Sequence, residues 1–189
     1  MANVGLSKPY YAAYTNSGSG TTYSNGAKIA KAISCKIENG GGEAENWYAD
    51  NGIAESSNSF GNGTLTLETD SLPLAVAKDL FDLTVDTSSV YHFNADDVPP
   101  YLGFGIIKKL ITGGATAYWG IVLPKIQFQV PNEDLTTQGE SVEFASNEIT
   151  ATIMRDDTTG DWKLIKAFDS ESDAENWIKT TLGISTTST

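Results

Sequence analysis

Tyr101-Leu102-Gly103-Phe104-Gly105-Ile106-Ile107-Lys108-Lys109-Leu110-Ile111, then Gly113-Gly114, then Ala117-Tyr118-Trp119-Gly120-Ile121-Val122-Leu123, is the stretch that decides the fold. Two runs rich in β-branched and aromatic residues flank a glycine pair, the pattern of two strands joined by a tight turn. Beyond Pro124-Lys125, the apolar residues Ile126, Phe128 and Val130 alternate with Gln127 and Gln129. A period of two places one face in a core and leaves the other wet or at an interface.

The same period extends outward in both directions. Lys8–Tyr14 reads as a first strand, and Lys28–Glu38 as a second that ends at Asn39-Gly40-Gly41-Gly42. Between them, 15–27 is rich in Ser, Gly, Thr and Asn and is expected to be a flexible polar loop, because it has little apolar area to bury. Glu43–Ala49 and Ile53–Glu55 flank Asp50-Asn51-Gly52, a tight-hairpin signal. Thr64–Thr69 alternates Leu65 and Leu67 with polar neighbours. Toward the C-terminus, Val142–Ala145, Ile149–Met154 and Trp162–Phe168 read as further strands, with a turn at Asp156-Asp157-Thr158-Thr159-Gly160.

Two segments switch to helical spacing. Over 71–83, Leu74, Ala77, Leu80 and Phe81 form one stripe behind Asp70 and Pro73. Over 170–182, Ser170 is a capping residue, Asp173 adds favourable charge to the first turn, and Ala174, Trp177 and Ile178 face inward. Residues 183–189 are expected to be disordered. The predicted class is mainly β: an antiparallel β-sandwich with two short helices, a single domain over 1–189.

Composition narrows the function classes. The formal net charge is −12, from 12 basic and 24 acidic residues. Binding to duplex phosphates needs a basic surface, and docking on anionic lipid needs the same. Cys35 is the one cysteine, so no intrachain disulfide can form; it sits in the alternation Ile29-Lys31-Ile33-Cys35-Ile37 and is expected to act as a small buried hydrophobe. No apolar run approaches the ~20 residues of a membrane span. The first residues lack a basic region followed by an apolar run, so export by a signal peptide is not expected.

Few groups could carry chemistry. His92 is the single histidine, between Tyr91 and Phe93; Asp96 and Asp97 are nominal partners for a general base. No strand-turn-helix elbow presents a serine, so aromatic packing is the preferred reading. Asp156, Asp157 and Asp161 lack the ligand spacing and terminal Glu of a calcium loop and read as a hairpin tip. Gly103-Phe104-Gly105 lacks the third glycine and the following helix of a dinucleotide cradle and reads as marking a bulge or a close backbone approach. Asn62-Gly63-Thr64 is a formal glycosylation sequon. No catalytic, cofactor-binding or metal-binding residue is assigned, and no enzymatic activity is expected. Tyr10, Tyr11, Tyr14, Trp47, Tyr48, Trp119 and Trp162 could form a stacking platform, which keeps a carbohydrate- or protein-binding (adhesin-like) module as the alternative.

The ordered series of segments also carries a resemblance. Ala27–Ile37, Trp47-Tyr48-Ala49-Asp50-Asn51, Gly63-Thr64-Leu65-Thr66-Leu67-Glu68, Tyr101–Gly105, Tyr118–Phe128, Thr137–Phe144, Gly160–Lys163 and Ser170–Ile178, in that order and spacing, resemble the phi13-type major tail (tail tube) protein of long, non-contractile-tailed phages of Gram-positive bacteria. The resemblance implies a β-sandwich with a flanking helix, related to type VI secretion tubes. It implies assembly as hexameric rings stacked into a tube that conducts DNA at ejection without sequence-specific binding. The implied partners are further copies of the chain, a tape-measure protein, and initiator and terminator proteins of the tube. The implied location is the virion tail, after assembly in the host cytoplasm. An additional immunoglobulin-like C-terminal domain is not expected. On that reading, the acidity disfavours adhesion of DNA to the lumen, and open strand edges are satisfied by neighbouring subunits. The segments 15–27, 50–63 and that after Leu182 are candidates for contacts between rings.

Overall fold

The computed structural model describes residues 2–41, 45–49, 52–57, 60–132 and 146–185. The chain is mainly β and antiparallel, with two helices. Its elements are β1 (Ala2–Asn16), β2 (Thr21–Lys28), β3 (Ala32–Glu38), β4 (Glu45–Ala49), β5 (Gly52–Ser57), β6 (Gly63–Thr69), α1 (Leu74–Phe81), β7 (Thr84–Val85), β8 (Tyr91–His92), β9 (Tyr101–Thr112), β10 (Ala115–Phe128), β11 (Asn147–Met154), β12 (Leu164–Phe168) and α2 (Glu171–Thr181).

The main sheet runs β2-β1-β9-β10-β11-β6-β3. Its centre is the β9–β10 hairpin, paired from Ala115 opposite Thr112 to Gln127 opposite Tyr101. On its other side β10 has two partners in succession: β12 along Tyr118–Val122 and β11 along Lys125–Phe128. The change of partner coincides with a register shift between Leu123 and Ile126, so a local bend lets one strand pair with two partners in succession. A second bend falls in β1, where register shifts between Ser7 and Tyr10 and Lys8 adopts φ 56°. There the Pro9 carbonyl accepts from Ile29 N at 2.9 Å, and β3 comes back against β1 to give a sandwich-like enclosure.

The alternation of the strands sorts side chains between two apolar clusters. Tyr11, Leu102, Phe104, Ile106, Ile121, Leu123, Ile126 and Phe128 face the main core with Leu65, Leu67, Ile149 and Ile153. Their chain neighbours Tyr10, Ala12, Ile107 and Val122 face the other way, under α2. Helix α1 seals the main core with Ala77, Leu80 and Phe81; each large side chain so buried contributes about 2 kcal/mol.

Several sequence expectations are met. The β9–β10 hairpin, β6, the β4–β5 pair and the 156–160 turn lie where the pattern puts them. The Ser170 hydroxyl accepts from Asp173 N at 3.1 Å, as a helix cap does. Others need correction. The polar 15–27 segment is not a loop: Thr21–Lys28 is strand β2, hydrogen-bonded to Tyr10–Asn16 of β1. Its backbone donors and acceptors find partners in β1, so polar side chains do not prevent pairing. The run 28–38 is not one strand, since 29–31 cross from β2 at one side of the sheet to β3 at the other. A bulge between Ala32 and Ser34 then turns Ile33 outward, breaking the expected alternation. Asp70 does not cap α1: its carboxylate accepts from Lys31 N at 3.1 Å and ties β6 to β3. In the tail beyond α2, Ile184 packs against Gly26, and residues 186–189 lie outside the described residues. The predicted strand at Val142–Ala145 also lies outside them.

Candidate interaction surfaces

The residues considered for chemistry are separated by the fold. His92 Nε2 stands 3.5 Å from Asp86 Oδ2, both half-exposed at the base of the β7–β8 hairpin. Asp86 itself organises the turn, accepting from Ser88 N at 2.8 Å and Val90 N at 2.9 Å, which holds its carboxyl below the usual range. Asp97 accepts from Asn94 N at 2.7 Å in the next turn. The structure therefore gives His92 an aspartate the sequence reading had not considered, within a local turn.

The Asp156–Gly160 tip is also locally satisfied. Asp156 is buried; Oδ1 accepts from Thr158 N and Thr159 N, both at 2.8 Å, and Oδ2 from the Thr21 hydroxyl at 2.5 Å. Burial alone would raise its pKa, but these hydrogen bonds outweigh that and lower it. Asp157 reaches Lys125 Nζ at 2.7 Å. Lys125 is 9% exposed and lies over the rings of Tyr101 and Tyr14, at 4.5 and 5.3 Å from their centroids. Burial would lower its pKa; the Asp157 hydrogen bond and charge, with both tyrosines, raise it instead. Among the described residues no group of three or more His, Cys, Asp or Glu side chains is placed to hold a metal ion.

The glycines of β9 and β10 accommodate α2. A Cβ at Gly105 would meet Ile178, one at Gly103 would meet Tyr23 and Leu182, and one at Gly120 would meet Trp177. What approaches Gly103 and Gly105 is not backbone but side chains: Tyr23 of β2 and Leu182 over the first, Ile178 and Leu182 over the second. Asn62 of the sequon is exposed just before β6.

The candidate aromatic platform is divided among separate places. Tyr10 lies under α2 and donates to Glu175 at 2.5 Å, whereas Tyr11 faces the main core and donates to Asp79 at 2.7 Å. Trp119 lies beside Lys108, and Trp162 stacks on Phe60 with centroids 4.8 Å apart. Tyr14 belongs to the Lys125 cluster. The side chains of Trp47 and Tyr48 lie outside the described residues.

What the structure leaves at its surface is strand edge and apolar area. Strands β2 and β3 terminate the sheet order, and β12 pairs with β10 along one side. Ile165 of β12 is 48% exposed; on the segment between α1 and β9, Phe93 is 54% and Val98 71% exposed. Periodicity could not locate this segment because its order comes from short-range turns at Asp86 and Asp97. No protein-family model matches the chain, and no curated protein matches it.

Proposed function

We propose that this chain is a structural subunit that assembles with copies of itself, as the tail tube protein of a long-tailed phage does: in hexameric rings, stacked into a conduit for DNA. The observation that carries the reading is an antiparallel sheet whose order, among the described residues, ends at β2 and β3, with Ile33 of β3 and Ile165 of β12 exposed. Such edges aggregate or are paired by a neighbour, and symmetric closure satisfies them. The order of segments resembling major tail proteins supplies the particular architecture. Its partners on this reading are itself, a tape-measure protein, and the proteins that start and end the tube, in the virion.

The packing assignments of Tyr10, Tyr11 and Trp162 favour this reading over a glycan-binding platform. The test is negative-stain electron microscopy of the purified chain at rising concentration, with light scattering on the same samples. Rings or hollow rods of uniform diameter are expected. A persistent monomer that binds a glycan array would overturn the reading in favour of the adhesin-like module.

A further inference from the structure

Four asparagines of this chain precede a glycine: Asn25, Asn39, Asn51 and Asn62. That dipeptide carries its own reaction. The glycine backbone nitrogen can attack the asparagine side-chain carbonyl carbon, since no Cβ on the following residue stands in the way. The new N–C bond closes a five-membered succinimide as the bond to the side-chain nitrogen breaks, and ammonia leaves with the proton of the glycine N–H. Water then opens the ring at either carbonyl, giving aspartate or isoaspartate. One water is taken up for one ammonia released, so no oxidant, reductant or enzyme is required. Ring closure is intramolecular, and its rate depends on whether the backbone can reach the attacking geometry. Asn51 lies outside the described residues; the other three are held in different ways.

Asn25-Gly26 is inside β2. Two residues there oppose the single Ala12 of β1, between the ladder pairs Ser24–Ala13 and Ala27–Tyr11. This bulge holds Asn25 at φ 51°, and Gly26 is packed against Ile184 and Ala12. Asn62-Gly63 opens β6. Gly63 is buried, paired with Ile153 of β11, and closed in by the Glu38 carbonyl on the β3 side. At both junctions, ladder bonds must open before the ring can close.

Asn39-Gly40 is placed differently. The β3–β6 ladder ends at Glu38 opposite Thr64, and a lone bridge joins Gly41 to Phe60. Residues 39 and 40 lie between these, in neither strand, and both are exposed. Among the described residues, the Gly40 N–H finds no backbone acceptor. The fold also demands the glycine, because the Asn62 carbonyl oxygen stands where a Cβ on residue 40 would be. The unhindered nitrogen beside Asn39 is thus imposed by the close packing of two backbone segments.

We infer that Asn39 is a site of spontaneous deamidation in the folded protein, reacting ahead of Asn25 and Asn62. Either product puts a new carboxylate beside Glu38, whose existing partner is Lys36 at 2.7 Å. Isoaspartate also adds a methylene to the main chain, at the point where Gly40 abuts Asn62. The end of β3 therefore changes in charge and geometry as the chain ages. This site goes beyond the self-assembly reading and does not depend on it.

The test is to hold the purified chain at physiological temperature in mildly alkaline buffer, withdraw samples over time, and map the peptides by mass spectrometry. A parallel sample in urea reports the same junctions without the fold. In the native sample, conversion at position 39 should be at least about tenfold faster than at 25 or 62, which must first open locally. In urea the three rates should converge. Native conversion at 25 or 62 as fast as at 39 would overturn the inference. So would a position 39 that stays unconverted in the native sample while the urea sample converts there.

Discussion

Gly105 lies directly beneath Ile178: a Cβ built on the glycine would come within 2.3 Å of the isoleucine Cγ2. The missing side chain on β9 is what lets α2 rest on the sheet. Gly105→Ala therefore forces the helix or the strand to move and should destabilise the fold by about 1–3 kcal/mol. The matching Tm drop is roughly 2–10 °C for a domain of this size. Gly5→Ala is the control, since nothing lies within 4 Å of its Cβ position. Differential scanning calorimetry of both variants checks the pair, and equal Tm values would refute the contact.

Glu175 couples α2 to β1 through charge. It accepts from Tyr10 Oη and Lys8 Nζ, each at 2.5 Å, and from Lys179 Nζ at 2.8 Å. Burial would raise its pKa, but Lys179, Lys8 and Tyr10 together lower it to about 2. A depressed folded pKa means the stabilisation is complete above the unfolded carboxyl value of 4.5 and is lost as pH falls toward 2. Glu175→Gln should thus cost about 2 kcal/mol at pH 7, with the difference from wild type shrinking across that acid window. Urea melts at pH 7, 4 and 2.5 measure it.

The Lys125 ammonium holds two tyrosine rings and Asp157 together. Lys125→Met keeps the stem's packing while removing the charge, and should cost about 1–2 kcal/mol from the lost ring and carboxylate contacts. Because Asp157 is half-exposed, Asp157→Asn should cost less. The reverse order in chemical denaturation would show that the rings contribute little.

Asp156 holds the turn that braces the β1–β2 hairpin. Asp156→Ala leaves two backbone amides and the Thr21 hydroxyl without their acceptor. The expected loss is about 2–3 kcal/mol. Amide exchange at Thr158 and Thr159 should accelerate more than exchange in β9, and uniform acceleration would count against a local role.

Most of the core was legible because it obeys a period. Leu65 and Leu67 on β6, Ile126 and Phe128 on β10, and Ala174 and Ile178 on α2 are buried where alternation or helical spacing puts them. The errors share a physical cause: they fall where backbone pairing, not side-chain burial, decides the structure. Strand β2 is held by its ladder with β1 and carries little apolar signal. Ile33 is exposed because one bulge reverses the faces after it. Cys35, read as a buried hydrophobe, lies partly buried against the core, where burial pushes its thiol up to about 12.

The partner exchange along β10 has a mechanical consequence. One side of this strand is zipped to β9 over nearly its whole length, and the other is shared between β12 and β11. A pull that peels β12 away stops at Leu123, beyond which β10 passes to its separate ladder with β11. Shear from one end of the molecule must therefore break two unrelated ladders before the halves slide apart.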